Sequence, residues 1–191
     1  MANEFDDQVL SKAIITVVQE TFRKTLHAEM QGDPVVLERD IIEYESRMRV
    51  FPMEKFNGPV YVACVNFYLS QKHLESQDTV GTFLFFVKED MAEKLLKAFG
   101  LSSRDAEDEE VLMNKLGEFS SILAGNLKNE FMTLGYADLV IADPIKAKNS
   151  IPDGVPFDYS LYRKQEVTFK FWNQRCIVIE ACLGSVPRSG K

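Results

Sequence analysis

A row of polar side chains recurs at helical spacing in the second half of the chain, and its residue types could recognise charged and hydrogen-bonding groups. The row runs in steps of four, three, four and three residues through Asn114, Glu118, Ser121, Gly125 and Lys128. Residues three and four apart share one face of an α-helix, so this spacing predicts a continuous polar ridge. An amide, a carboxylate, a hydroxyl and an ammonium group on one ridge indicate a surface that faces solvent or a partner.

Two glycines in the same predicted helix, Gly117 and Gly125, need a physical explanation. Glycine inside a helix costs roughly 0.5–1 kcal/mol relative to alanine. Close packing, or the close approach of another backbone, could offset that cost. Composition alone favours a simpler interpretation, in which the ridge is an ordinary solvated face and the glycines serve helix-on-sheet packing.

The opposite face of this helix carries a stripe of large apolar residues that we assign to the core. The stripe consists of Leu112, Leu116, Phe119, Leu123, Leu127 and Phe131. Elsewhere the hydrophobic period predicts helices at 6–30, 88–99 and 108–134, and strands at 60–69, 80–87, 139–142, 167–172 and 175–183. Residues 71–78 are predicted to form a turn or short hairpin, and 146–161 are predicted to be mostly loop. This order predicts an α+β fold with helices packed on a largely antiparallel sheet.

The length and charge of the chain limit its organisation and its partners. With 191 residues it fits one domain, in which 1–55 form an N-terminal helix and lead-in, 56–183 the core, and 184–191 a flexible Gly/Ser/Pro-rich tail. The formal net charge is −7. A basic patch of the kind that binds nucleic acid is absent from the sequence, so no nucleic-acid partner is expected.

Several other kinds of site find no support in the sequence. Cys64, Cys176 and Cys182 show no CxxC spacing and are expected to be buried free thiols in a reducing compartment. Only two histidines are present, far apart, so no metal site is expected. The N-terminus lacks a signal-peptide pattern and no apolar run is long enough to span a bilayer, which predicts a cytoplasmic protein without a membrane partner. Phosphate-binding glycine loops and the GxSxG elbow are also missing.

The amino-acid sequence of the helix that carries the ridge resembles the signature helix of the CheX/CheC/FliY chemotaxis phosphatases. That family's pattern is an acidic or serine position, three residues, Glu, two residues, Asn, then 22 residues and Pro. Asn114, Glu118 and Ser121 fall at the first three of these positions, and Pro144 follows Ser121 after 22 intervening residues. Ala124-Gly125-Asn126 matches the family's usual ending. One copy of the motif is present, which is similar to CheX rather than to CheC with its two copies.

The resemblance implies a CheX-like fold over roughly residues 55 to 183 and a role in chemotaxis or two-component signalling. The substrate would be another protein, a phosphorylated response regulator of the CheY type, whose aspartyl phosphate is hydrolysed. The regulator carries its own Mg²⁺ and phosphate, so the resemblance implies no cofactor in this chain. Residues implied to bind the partner are Asn114, Gly125, Lys128 and Pro144.

The two residues implied to be catalytic are Glu118 and Ser121. Glu118 matches the family glutamate, which is understood to pair with a lysine in the regulator's active site. Ser121 stands where the family has an asparagine whose amide positions the attacking water. A hydroxyl is shorter than a carboxamide, and a misplacement of about 1 Å can cost on the order of 100-fold in rate. The resemblance therefore implies hydrolysis that is weakened or absent.

Three functions remain open from the sequence. The first is a phosphatase that acts on phosphorylated response regulators. The second is a binding module that docks a receiver domain without hydrolysis. The third is a dimeric scaffold, in which strand 175–183 is predicted to be an exposed edge that pairs across a two-fold axis.

Overall fold

The computed structural model describes residues 7–185, in which four α-helices pack with a seven-stranded sheet and a separate two-stranded ribbon. The helices are α1 (Asp7–Thr25), α2 (Gln71–Glu75), α3 (Glu89–Ala98) and α4 (Glu109–Thr133). The strands are β1 (Val35–Asp40), β2 (Glu43–Tyr44), β3 (Arg47–Met48), β4 (Val60–Tyr68), β5 (Gly81–Lys88), β6 (Val140–Ile141), β7 (Ile145–Lys148), β8 (Arg163–Phe171) and β9 (Gln174–Leu183). The predicted α+β class is confirmed.

The large sheet has the strand order β1-β8-β9-β5-β4-β6, with β7 also pairing with β4, and every pairing is antiparallel. The predicted hairpin of 60–69 with 80–87 is present as β4 and β5. The predicted edge position of Arg175–Leu183 is wrong. These residues belong to β9, which lies in the middle of the sheet between β8 and β5, so β9 has no free edge for pairing with a second copy.

The sheet buries a core on each face. On one face, α1, α3 and α4 cover a large cluster, which includes the whole predicted stripe of α4. On the other face, β3 and the irregular chain after β3 and after β7 cover a smaller cluster with side chains such as Met48, Val50, Ile151, Val155 and Phe157. Alternate residues of β4 point to the two faces, which is why that strand is apolar throughout.

Several predicted boundaries are corrected by backbone conformation. The first helix ends at Thr25, before the predicted 30, because His27 adopts a φ of 50° and the N–H of Ala28 turns back to the carbonyl of Phe22. The predicted turn at 71–78 contains α2, capped by Ser70. The predicted loop 146–161 is loop only from 149, since Ile145–Lys148 form β7 beside β4. Four residues with two lysines are too short to show a clear two-residue period.

Other expectations concern the ends of the chain and its thiols. Most of the predicted tail, residues 186–191, lies outside the described residues, as do residues 1–6. Within 7–185, no helix is both long and apolar enough to cross a membrane. All three cysteines are buried and free, as predicted. Burial raises the pKa of Cys182 to about 12 and that of Cys176 to about 11, which keeps both thiols protonated and unreactive at neutral pH.

Candidate functional site

The polar ridge lies on α4, whose start and rotation are both fixed by local contacts. The carboxylate of Asp108 accepts hydrogen bonds from the backbone N–H groups of Glu110 (2.9 Å) and Val111 (3.3 Å), which caps the helix. Phe119 is fully buried, with ring centroids 5.2–5.7 Å from three other rings. Those rings belong to Phe22, Phe85 and Phe99. With Phe119 held inward, the residue before it, Glu118, points away from the core.

Glu118 is accessible to an approaching molecule. Its side chain is 58% exposed, and its carboxylate pairs with the ammonium group of Lys115 at 2.7 Å. Lys115 also lies over the ring of Phe99, 4.8 Å from the ring centroid. An exposed pair of this kind contributes only about 0–1 kcal/mol, so a partner cation could replace Lys115 at little cost.

Ser121 lies one turn further along the ridge and is partly exposed. Among residues 7–185, its hydroxyl has no hydrogen-bond partner in the structure, in contrast to Ser120, whose buried hydroxyl donates to the carbonyl of Leu116 at 2.8 Å. The hydroxyl of Ser121 is therefore free to donate to, or accept from, an incoming group. The structure brings Glu118 and Ser121 to one open surface, as the spacing predicts.

Asn114 is exposed at the N-terminal end of the ridge and is held by a residue outside α4. Its side-chain oxygen accepts a hydrogen bond from the ammonium group of Lys146, with a nitrogen–oxygen distance of 2.6 Å. Lys146 lies in β7, which runs beside the first half of α4. Lys146 was not predicted as a site residue, because the strand that positions it, β7, has no clear sequence pattern.

The two glycines of α4 have different surroundings. A Cβ atom at Gly117 would lie 2.8 Å from Cδ of Lys146 and 3.3 Å from Cγ of Pro144, so close packing explains this glycine. A Cβ atom at Gly125 would meet nothing within 4 Å. Gly117 is therefore explained by the chain itself, whereas packing within residues 7–185 gives no reason for glycine at Gly125. Pro144 packs against the helix beside the ridge.

The C-terminal end of the ridge is joined to the loop that follows α4. Lys128 pairs with Asp138 at 2.5 Å and is partly buried, with 25% of its side chain exposed. Asn126 lies off the ridge and donates to the hydroxyl of Thr21 in α1 at 3.0 Å, so it contributes to helix packing. Lys128 is less available for a partner than Glu118, because its side chain is 25% exposed whereas that of Glu118 is 58% exposed.

A second group of charges, which the sequence analysis did not identify, lies on the other face of the sheet. We call Lys55, Lys164, Glu166 and Glu180 the buried charge cluster; Arg39 lies at its rim. Glu166 and Glu180 are directly opposite each other on β8 and β9. The ammonium group of Lys55 lies 2.5 Å from both carboxylates, and that of Lys164 lies 2.8 Å from Glu180. A cavity of about 360 Å³ opens beside the cluster.

The pKa values of Glu166 and Lys55 show that ion pairing in the cluster outweighs the cost of burying their charges. Burial opposes the charged form of Glu166, but hydrogen bonding to Lys55 and the charges of Lys55 and Arg39 outweigh it and hold the pKa of Glu166 below its usual value. Burial likewise opposes the charged form of Lys55, yet Glu180 and Glu166 raise the pKa of Lys55 above its usual value. Each charge in the cluster has its counter-charge inside the chain, which indicates a structural role.

Only the comparison with solved structures found proteins similar to this chain, and the similarity is one of fold. No protein-family model matches the chain, and no curated protein matches it. Among solved structures, a CheC-like superfamily protein from Shewanella sp. PV-4 is 17% identical with a TM-score of 0.59, covering 91% of this chain and 96% of the other. CheX from Vibrio vulnificus is 17% identical with a TM-score of 0.55, covering 91% and 97%.

A third structure is similar to the same extent and contains a bound partner. It is the CheX–CheY–BeF₃–Mg²⁺ complex from Borrelia burgdorferi, 14% identical with a TM-score of 0.54, covering 93% of this chain and 97% of the other. The chain therefore has a CheX/CheC-like fold, as the motif predicted. At these identities the likeness concerns the fold alone.

Proposed function

We propose that this protein acts in chemotaxis or a related two-component pathway by docking the ridge of α4 onto the phosphorylated receiver domain of a CheY-type response regulator. Hydrolysis of the aspartyl phosphate is slow, because Ser121 replaces the amide that would position water. The supporting observation is the ridge itself: Glu118 and Ser121, at the motif spacing, are open to solvent on a CheX/CheC-like fold. The CheX–CheY complex among the similar structures supports the choice of partner.

Docking requires Glu118 to exchange one cation for another. In the free protein its carboxylate pairs with Lys115 at 2.7 Å, on a side chain that is 58% exposed. A lysine of the receiver domain would take the place of Lys115. Because the internal pair is exposed, it costs little to break, and desolvation in the complex would strengthen the new pair.

The hydrolysis itself needs no nucleophile from this chain. A water oxygen attacks phosphorus, the bond from phosphorus to the aspartyl oxygen breaks with its electron pair, and the products are the aspartate carboxylate and dihydrogen phosphate. Both protons of the water end on the phosphate, so no separate base is required. Catalysis is then a matter of holding water in line, which is a positioning task.

The experiment compares wild-type protein with Ser121→Asn and Glu118→Ala on phosphorylated CheY-type receiver domains from the same genome. We expect weak hydrolysis by wild type, a rise on the order of 100-fold for Ser121→Asn, and loss of both binding and activity for Glu118→Ala. Ser120→Asn is not a suitable control because Ser120 is buried, so Lys72→Met, at an exposed lysine of α2, serves instead and should behave as wild type. Failure of every receiver domain to bind wild-type protein would overturn the proposal.

The departure at Ser121 favours one alternative, a receiver-binding module without hydrolysis. The two functions separate in the same assay: a module binds a receiver loaded with BeF₃⁻ and Mg²⁺ but leaves the lifetime of the aspartyl phosphate unchanged. In that case Ser121→Asn would create activity that wild type lacks. The homodimer expected from the sequence cannot pair through β9, and light scattering after size exclusion tests whether it forms through another surface.

A further inference from the structure

Three large apolar side chains of α4 are exposed on the same helix face as the ridge. Val111, Ile122 and Met132 are 37%, 38% and 44% exposed. Ile122 follows Glu118 by four residues and Met132 follows Gly125 by seven, so both lie along the ridge. Val111 lies two turns before Glu118 on that face. Aligned apolar side chains of this kind act as anchors when a helix packs into a groove of a partner.

The N-terminal half of the ridge is already contacted by another part of the chain. The stem of Lys146 packs over Gly117, where an added Cβ atom would lie 2.8 Å from Cδ of the lysine. The ammonium group of Lys146 donates to the side-chain oxygen of Asn114 at 2.6 Å. Pro144 lies against the same glycine, with its Cγ 3.3 Å from the added Cβ. A partner that covered this half would have to displace these contacts.

The N-terminal end of the ridge is also acidic. The run 105–110, which leads into α4, contains five carboxylates, and the two that begin the helix are exposed. Arg104, Lys146 and Lys148 bring three positive charges to the same end, so the balance is negative. Like charges repel, and this end of the ridge therefore disfavours the phosphoryl group of a docked receiver domain.

The C-terminal half of α4 carries little unpaired charge. It contains two charged residues, Lys128 and Glu130, and Lys128 pairs with Asp138 at 2.5 Å. Across the cleft between α4 and α1, Glu20 and Lys24 pair with each other, also at 2.5 Å. An apolar partner surface that covers this half therefore buries few charges, which keeps the cost of desolvation low.

The surface around Ile122 is open to close approach. Ser121, the residue before it, has a partly exposed hydroxyl without a hydrogen-bond partner within residues 7–185. Three residues after Ile122, a Cβ atom at Gly125 would have no described atom within 4 Å outside the neighbouring backbone of α4. Another backbone can therefore come close to the helix beside Ile122.

We propose that the receiver domain covers α4 from Glu118 to Met132, with Ile122 as the apolar anchor, and leaves Val111 uncovered. This inference rests on the proposed function and adds to it the half of the ridge on which the receiver lies. Ile122 is about 6 Å along the helix axis from Glu118 and next to Ser121 in sequence. An apolar patch of the receiver beside its active site packs on Ile122. The packed patch excludes water from the pair between Glu118 and the receiver lysine and thereby strengthens that pair.

The test is titration calorimetry of wild type, Ile122→Ala and Val111→Ala with one CheY-type receiver domain loaded with BeF₃⁻ and Mg²⁺. We expect Ile122→Ala to weaken binding about tenfold, the scale of one apolar side chain buried in an interface, and Val111→Ala to bind as wild type. Val111→Ala is the matched control, since it removes a β-branched side chain of the same exposure from the same helix face. Met132→Ala should give a smaller loss, because Met132 lies further from Glu118.

Salt distinguishes the apolar contact from the charged one. The fold-loss for Ile122→Ala should be the same at low and at high salt, whereas that for Glu118→Ala should shrink as salt screens the ion pair. Ile122→Leu should retain most of the affinity, because it keeps the apolar volume. A loss for Ile122→Ala that disappears at high salt would overturn the apolar contact.

The remaining outcomes separate this inference from the function on which it rests. Losses for Val111→Ala that equal or exceed those for Ile122→Ala would overturn the assignment of the receiver to the C-terminal half. If Ile122→Ala binds as wild type while Glu118→Ala abolishes binding, the apolar anchor is wrong and the docking ridge stands. If wild type binds no receiver domain, the proposed function fails and this inference fails with it.

Discussion

Two sets of lysine–glutamate pairs lie on opposite faces of one sheet and differ in how much water reaches them. On the ridge side, Lys115, whose side chain is 27% exposed, pairs with Glu118, whose side chain is 58% exposed. On the other side, Glu180 has a side chain that is 2% exposed and is held by two lysines. A charge in water can change partners at little cost, whereas a charge removed from water depends on the partners it was folded with. The pair on the ridge is therefore suited to recognising a partner, and the buried charge cluster is suited to stabilising the fold.

The largest expected effect comes from breaking the buried set. Glu180→Ala leaves Lys164, itself 6% exposed, without its carboxylate and removes one of the two partners of Lys55. We expect a loss of about 3–5 kcal/mol in the free energy of unfolding, the usual cost of a buried charge without its partner. Urea denaturation followed by circular dichroism measures it.

The matched control is Glu118→Ala on the ridge, which removes the same side chain from a lysine partner in water. Its free energy of unfolding should change by no more than about 0.5 kcal/mol. Equal losses in the free energy of unfolding for Glu118→Ala and Glu180→Ala would show that the ridge pair and the buried charge cluster contribute equally to stability.

Glu166, in the same buried region, should contribute to the pH dependence of stability on the acid side. Because the folded-state pKa of Glu166 lies below its usual value of 4.5, this group contributes stability that is present above pH 4.5 and is lost as the pH falls through the folded pKa. We expect the difference in unfolding free energy between wild type and Glu166→Gln to be largest at pH 7 and to shrink on acidification. If the difference in unfolding free energy stays constant down to pH 3, the negative charge of Glu166 does not stabilise the fold.

The same comparison shows what the sequence could and could not predict. The ridge follows from a local rule, since the helical period places Asn114, Glu118 and Ser121 on one face whatever the rest of the chain does. The hairpin of β4 and β5 is likewise local. The buried charge cluster joins Lys55 to Glu166 and Glu180, more than 100 positions away, and no local period reveals such a contact.

The missed parts of the site have the same origin. Lys146 reaches Asn114 across 32 positions, by way of β7, which is too short for its period to be recognised. The clue to this contact was Gly117, because a glycine in a buried position of a helix indicates that another part of the chain crosses there. The central position of β9 could not be inferred either, since a strand that is buried on both faces has the same pattern wherever it lies in the sheet.

Gly125 offers a smaller test, in which stability and binding should move in opposite directions. Within residues 7–185, no atom outside the neighbouring backbone of α4 would lie within 4 Å of a Cβ at this position, so Gly125→Ala should gain about 0.5–1 kcal/mol of helix stability. If the ridge is kept bare so that a receiver backbone can approach it, the same change should weaken binding of the BeF₃⁻-loaded domain. Gly117→Ala is the control and should gain less, because its Cβ would displace Lys146. Unchanged binding by Gly125→Ala would mean that the partner does not contact this part of the helix.

The smallest expected effect concerns the counter-ion of Glu118. Lys115→Gln removes the internal competitor for the carboxylate but keeps a helix-forming side chain, so stability should fall by only about 0.2–0.5 kcal/mol, the worth of an exposed pair three residues apart. The free energy no longer spent on breaking that pair should appear as about a twofold gain in affinity for the receiver domain, measured by titration calorimetry. The gain should disappear at high salt, where the pair is screened in both forms of the protein. A loss of affinity would instead place Lys115 itself in contact with the partner and make the ridge a two-lysine surface rather than one organised around Glu118.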